Sequence, residues 1–115
     1  MSEGEDVIER LKKFCEEEKA DYYLIIGGSG RIKDYSMISS SRGARIDTEI
    51  GREPIDVTAV SGKIENVKGR FSATVNVSLS RSGFNTISGQ LTKAKAGNAL
   101  EIGLRKIDES KIIMA

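Results

Sequence analysis

Between Gly69 and Leu91 apolar and polar residues alternate almost without a break. Phe71, Ala73, Val75, Val77 and Leu79 fall on one side, and Ser72, Thr74, Asn76, Ser78 and Ser80 on the other. Successive strand side chains point to opposite faces, so the pattern predicts a strand with one buried face. After Arg81-Ser82-Gly83 a second run places Ile87, Gly89 and Leu91 on one face and Thr86, Ser88 and Gln90 on the other. The two runs predict a hairpin. A one-residue slip would set the polar stripe of one strand against the apolar stripe of the other, so paired residue numbers must sum to an even value. That requires an odd-length loop, most simply three residues with Gly83 in the left-handed conformation. It also brings Thr74, Asn76 and Gln90 onto one patch.

Upstream the period changes. Val7, Ile8, Leu11, Phe14 and Cys15 recur at helical spacing while acids and lysines fill the opposite face, which predicts an amphipathic helix lying on a sheet. Ser2-Glu3-Gly4-Glu5 has the spacing of a capping box and places the helix start there, and Lys19 to Asp21 ends it. Tyr22 to Ile26 is a short continuous apolar run, expected to be a strand buried on both faces. Gly27-Gly28-Ser29-Gly30 follows as a tight turn or strand bulge. It lacks the Lys-Ser/Thr of a phosphate loop, and Ile32, Tyr35, Met37 and Ile38 continue as a strand rather than a helix.

Residues 39–53 read as the most loop-like stretch. Beyond Pro54 a strand begins with Ile55, Val57 and Ala59 and changes phase at Val60, Gly62 and Ile64, with Gly62 as the expected bulge. Thr92 to Asn98 reads as a small basic loop, and a last strand alternates Leu100, Ile102 and Leu104 inward with Glu101, Gly103 and Arg105 outward. The tail Lys111 to Met114 is expected to add an edge strand or to pack on a neighbouring chain. One early helix followed by strands joined through glycine-bearing turns gives an α+β fold, a mainly antiparallel sheet with one flanking N-terminal helix.

Composition narrows the function classes. At 115 residues a single domain is expected, able to bury roughly two-thirds of the unfolded chain's surface. With 38% apolar and 30% charged residues the chain is neither disordered in composition nor membrane-spanning. An acidic N-terminus and a lone cysteine, Cys15, point to the cytoplasm. Cys15 lies on the helix's apolar stripe and reads as a small buried hydrophobe rather than a reactive thiol. The net charge of +1 is uneven: residues 1–20 hold seven acids and four bases, leaving fourteen bases and ten acids beyond them.

The order of parts resembles the PPC domain, the plants-and-prokaryotes conserved domain, over nearly the whole chain. The resemblance rests on Gly4-Glu5-Asp6 opening the helix, Gly30-x-Ile32, Asp56 to Gly62 followed by Ile64, Val77 to Ser80, Ser88-Gly89-Gln90-Leu91, and Glu101-Ile102. It implies a compact antiparallel sheet with a flanking helix, assembled as a homotrimer. Plant members of that family carry separate AT-hook segments for DNA, while the prokaryotic stand-alone members have no established reaction. Two departures matter. The family commonly places three histidines, resembling a metal site, where this chain has Thr74, Asn76 and Gln90. The family also usually begins with a strand before the helix, which leaves a sheet edge here for the tail or a partner to fill.

The chain has no histidine, so no transition metal and no cofactor is expected at those positions. The candidate ligand-binding residues are Thr74, Asn76 and Gln90 with Gly89 and Glu101, and the expected ligand is small and polar. An enzyme would have to draw on carboxylates, Lys, Tyr and Cys15, with no general base placed beside the serines, and is the weaker reading. DNA binding is the alternative, through Lys63, Lys68, Arg70, Arg81, Lys93 and Lys95. Gly51-Arg52-Glu53-Pro54 puts an acid inside what would be an AT-hook core, and tryptophan is absent, so phosphate contacts would have to carry it. No membrane partner is expected.

Overall fold

In the computed structural model, which describes residues 1–40, 46–83, 85–108 and 113, one strand organises the rest. This strand, β1 (Tyr22–Ser40), runs for 19 residues. Along one of its sides lie β2 (Ile46–Gly51), opposite 35–40, and β3 (Ile55–Val67), opposite 22–32. Along its other side lie β6 (Glu101–Lys106), opposite 23–29, and the second half of β5 (Thr86–Ala96), opposite 32–38. The strand β4 (Arg70–Ser80) joins β3 to β5, so the ladder β1–β3–β4–β5 closes back on β1. Every pairing among the described residues is antiparallel.

The hairpin of β4 and β5 has the even-sum register that its stripes require, with Asn76 opposite Gln90 and Leu79 opposite Ile87. Gly83 stands at its tip with φ +75°, the left-handed conformation that a residue with a β-carbon rarely adopts. Val75, Val77 and Leu79 are buried as the alternation predicts. The helix α1 (Val7–Glu18) lies across β3, β4 and β5 and buries Val7, Leu11 and Cys15. These join Tyr23, Ile25, Ile32, Tyr35, Met37, Val60, Ile64 and Leu100 in one core.

The helix begins at Val7, four residues beyond Glu3, and its cap is Asp6, whose carboxylate accepts from the Glu9 amide at 3.0 Å. Ser2 and Glu5 do bond, amide to carboxylate at 2.6 Å, but in a turn ahead of the helix. That turn is held against β5, where Gly4 donates to the Ala96 carbonyl and Ala96 donates to that of Glu5. The helix ends at Lys19, whose φ of 57° and ψ of 33° place it in the left-handed region.

Several expectations are corrected. Tyr22 to Ile26 is not buried on both faces: Tyr23 and Ile25 are inside, whereas Leu24 and Ile26 are exposed, since among the described residues no second layer covers the outer face of β1. Of the two expectations for the glycines after it, the strand bulge holds and the turn does not. The strand passes through them with a register shift between Ile25 and Gly27. The stretch 39–53 contains β2, which a charge-rich sequence hides because its partner is on β1. Residues 41–45 lie outside the described residues, as does most of the expected tail strand at 111–114.

The phase change in β3 falls between Val57 and Ala59 rather than at Gly62, so Ala59 faces outward. The expected basic loop after Leu91 is strand as far as Ala96, with Ala94 and Ala96 buried beneath α1 and β1. Both are core positions of β5, and Ala96 is flanked by Ile32 of β1 and by the turn at Gly4 and Glu5. No helix among the described residues is long and apolar enough to cross a membrane.

Candidate functional site

The outward face of the closed ladder holds a groove of about 560 Å³ where β5 leaves β4 and turns to β1. Its floor is two cross-strand rows. In the first, Ser61 stands opposite Asn76, Asn76 opposite Gln90, and Gln90 opposite Ile38, so one row of side chains crosses four strands. In the second, Ala59 stands opposite Ser78 and Ser78 opposite Ser88, with the two serine hydroxyl oxygens 2.8 Å apart. Residues directly opposite on antiparallel strands share a face, which is why these side chains converge.

Gly89 is where β5 pinches against β1. A β-carbon there would lie 2.6 Å from the Ile38 carbonyl oxygen. The close approach brings Gln90 onto the β1 ladder while Asn76 still pairs with it, so a side chain at 89 would open the groove's floor.

No ionisable side chain lines this groove among the described residues. Hydroxyls and carboxamides donate and accept hydrogen bonds, and they neither transfer a proton nor attack at neutral pH without a base beside them. A transition metal does not fit these residues: the donors are neutral, and among the described residues no three His, Cys, Asp or Glu side chains gather anywhere. Cys15 is fully buried under α1, and desolvation pushes its thiol up to about 11, the environment of an inert thiol.

Of the candidate ligand-binding residues, the structure brings together Asn76, Gly89 and Gln90. Thr74 is one pleat further along β4, opposite Lys63, and is not part of the lining. Glu101 is on β6, opposite Ser29, and borders a second cavity of about 540 Å³ with Glu5, Arg10 and Phe14. Ser78 and Ser88 were reachable from the even-sum register of the hairpin. Ser61 and Ile38 were not, because their placement depends on ladders between β3, β4, β5 and β1.

The candidate phosphate-binding residues do not share one face. Lys68 and Arg70 are at one end of β4 and Arg81 at the other, roughly 33 Å apart along an extended strand. Arg81 is ion-paired with Glu49, and Lys63 with Glu65 at 3.2 Å, its ammonium also lying 5.9 Å from the centre of the Tyr22 ring. Lys93 and Lys95 are exposed neighbours on β5, with Lys95 opposite Lys33.

With this geometry the chain can be set beside known proteins. Residues 1–108 match the Plants and Prokaryotes Conserved (PCC) domain, and the chain belongs to that family. No curated protein matches the sequence. Among solved structures, a plant- and prokaryote-conserved protein from Pyrococcus horikoshii superposes with a TM-score of 0.78 at 20% identity, over 94% of this chain and 75% of its own. A protein from Ralstonia eutropha named as a candidate DNA-binding protein gives 0.79 at 17% identity, over 93% and 74%. A metal-containing protein from Archaeoglobus fulgidus gives 0.73 at 18% identity, over 84% and 68%. These likenesses establish the shared fold.

Proposed function

We propose that this chain is a ligand-binding or regulatory module, homotrimeric like the family it belongs to, and that it takes a small, uncharged polar ligand without a metal. The observation that carries this reading is the row Ser61, Asn76, Gln90 across three strands, with paired hydroxyls at Ser78 and Ser88 beside it. Such a floor recognises hydroxyl, amide or carbonyl groups and gives no compensation for a buried charge. Thr74 borders it one pleat away, and Glu101 enters this reading only as part of a second, separate cavity.

Native mass spectrometry of protein purified from its own cells under gentle conditions tests this. A retained small-molecule mass that disappears in both Asn76→Ala and Gln90→Ala is the expected result. A bare protein mass, or a mass retained equally in both variants, overturns it.

A second reading, DNA binding through phosphate contacts, is favoured by Lys93, Lys95 and Lys33 lying together on the β1 and β5 ladder. Lys33 is partly neutralised by Glu3 at 3.4 Å, so Lys93 and Lys95 would contribute most. Retardation of duplex DNA at low salt that is lost in Lys93→Glu and Lys95→Glu is expected on this reading. Absence of retardation at micromolar protein removes it.

A further inference from the structure

Among the described residues β6 pairs with β1 alone. Ile107 donates its amide to the Tyr22 carbonyl, and residues along an antiparallel strand alternate between bonding that neighbour and facing away from it. The register shift in this ladder adds a residue to β1, so the alternation along β6 itself is unbroken. Leu104 and Ile102 therefore turn their N–H and C=O groups to the open edge. Beside that edge lies the cavity of about 540 Å³ between β6 and α1. Its apolar surface comes from Leu11, Phe14, Ile102 and Leu104, and it is bordered as well by Glu101, which alternates to the other face of the strand. A space touched from both faces of β6 runs round its edge.

We infer that this edge takes an extended segment of another protein as an added strand, apolar at every second residue and oppositely charged at its two ends. Backbone groups of Ile102 and Leu104 supply the main-chain bonds, and the cavity takes the alternate side chains, which are the two parts of recognition by strand addition. Both are present side by side here.

The charges of β6 set the pattern of the segment. The strand is acidic at Glu101 and basic at Arg105 and Lys106, all three are exposed, and none is ion-paired among the described residues. Arg10 and Glu5, the other charges on the cavity wall, balance each other at 3.4 Å. Antiparallel addition, the more stable pairing per residue, then sets an acid of the segment opposite Arg105 and a base opposite Glu101. Between them, apolar residues stand opposite Leu104 and Ile102, over the cavity. The central residue stands opposite Gly103, beside Ile26, which is 59% exposed and would lie 3.1 Å from a β-carbon at 103. A β-branched side chain at the centre covers it.

The recognised order is thus acid, apolar, β-branched, apolar, base. A slip of one residue would turn the apolar pair to water and the charges to the cavity, so the register is fixed by the same rule as in the β4–β5 hairpin. Charged ends also repel a strand with the wrong charges, which makes the edge selective. Each copy in a trimer offers its own edge, and no residue of β6 lines the polar groove, so this surface is independent of the ligand reading.

An NMR titration of the isotope-labelled full chain with the acetylated, amidated peptide Thr-Glu-Val-Thr-Val-Lys-Thr tests the inference. Shifts are expected in the amides of β6, and deuterium exchange at Ile102 and Leu104, fast in the free protein, is expected to slow about tenfold or more in the complex. Changing both valines to serine removes the groups that enter the cavity, and N-methylating both removes the donors to the edge. Either peptide is expected to bind about tenfold more weakly or worse. No binding at millimolar peptide, or equal binding by either modified peptide, overturns the inference. Slow exchange at Ile102 and Leu104 in the free protein also overturns it, being the result that coverage by the chain's own residues or by another copy would give.

Charge reversal at an exposed position checks the direction without disturbing the core. Glu101→Lys is expected to weaken the original peptide about fivefold and to prefer Thr-Glu-Val-Thr-Val-Glu-Thr instead. An unchanged preference for the original peptide overturns the inference.

Discussion

Gly62 passes so close beneath the carbonyl of Thr74 that a β-carbon built on it would overlap the Thr74 oxygen. Gly62 also has a φ of +135°, outside the range L side chains readily adopt. The obstacle is backbone on the facing strand and cannot rotate away. Gly62→Ala is therefore expected to destabilise the protein by about 3 kcal/mol, with a fall in Tm on the order of 10 °C or more. Thermal unfolding followed by circular dichroism checks this, and a change within about 0.5 kcal/mol would show that β3 and β4 can separate locally at no cost.

Tyr23 contributes a buried hydroxyl whose oxygen lies near the Ala20 backbone amide without a well-formed hydrogen bond. A buried polar group left unpaired costs more than it returns. Tyr23→Phe is expected to stabilise by about 1 kcal/mol, read as a higher urea midpoint at unchanged slope. A loss of stability of that size would mean the hydroxyl has a partner in solution.

The helix cap gives a third expectation. Asp6→Ala removes the acceptor of the Glu9 amide and should cost about 1 kcal/mol, whereas Asp6→Asn keeps the acceptor and should cost only a few tenths. Chemical denaturation of both variants separates a capping role from a general effect of charge, since the two lose the same charge.

Alkaline pH probes the packing beneath α1. The Cys15 thiol is pushed up to about 11 by desolvation, with the Glu18 carboxylate adding to the effect. Burial moves the Tyr23 phenol in the same direction. The native state thus keeps protons that the unfolded chain releases, so stability declines as pH rises from about 9 towards 11. Cys15→Ala is expected to flatten that decline when unfolding is measured across the range. An equal decline in both proteins would assign it to Tyr23.

The parts of this fold that could be read from the sequence are those whose partners lie close in the chain. The stripes of β4 and β5 fixed both their faces and their register, because Gly83 joins them directly. The helix and its buried face followed from Val7, Leu11 and Cys15 for the same reason. What escaped depends on distant pairing. Nothing in Asp47 to Gly51 marks a strand until β1 is placed beside it, and Leu24 and Ile26 look like core residues until the outer face proves uncovered. The groove divides in the same way. Asn76 and Gln90 met as expected, Ser61 and Ile38 joined them only through the closed ladder, and Glu101 was carried away on β6.

The length of β1 has a consequence for how the molecule comes together. Its 19 residues share ladders with β2, β3, β5 and β6, and its partners extend from Ile46 to Lys106. No contiguous half of the chain carries a complete sheet, so fragments cut at the Gly83 turn would each lack the surface that buries their apolar stripe. Such a topology makes early, partial order unrewarding. Folding waits until sequence-distant segments meet, and the amides of β1 should be the last to exchange with deuterium, as a single cooperative block.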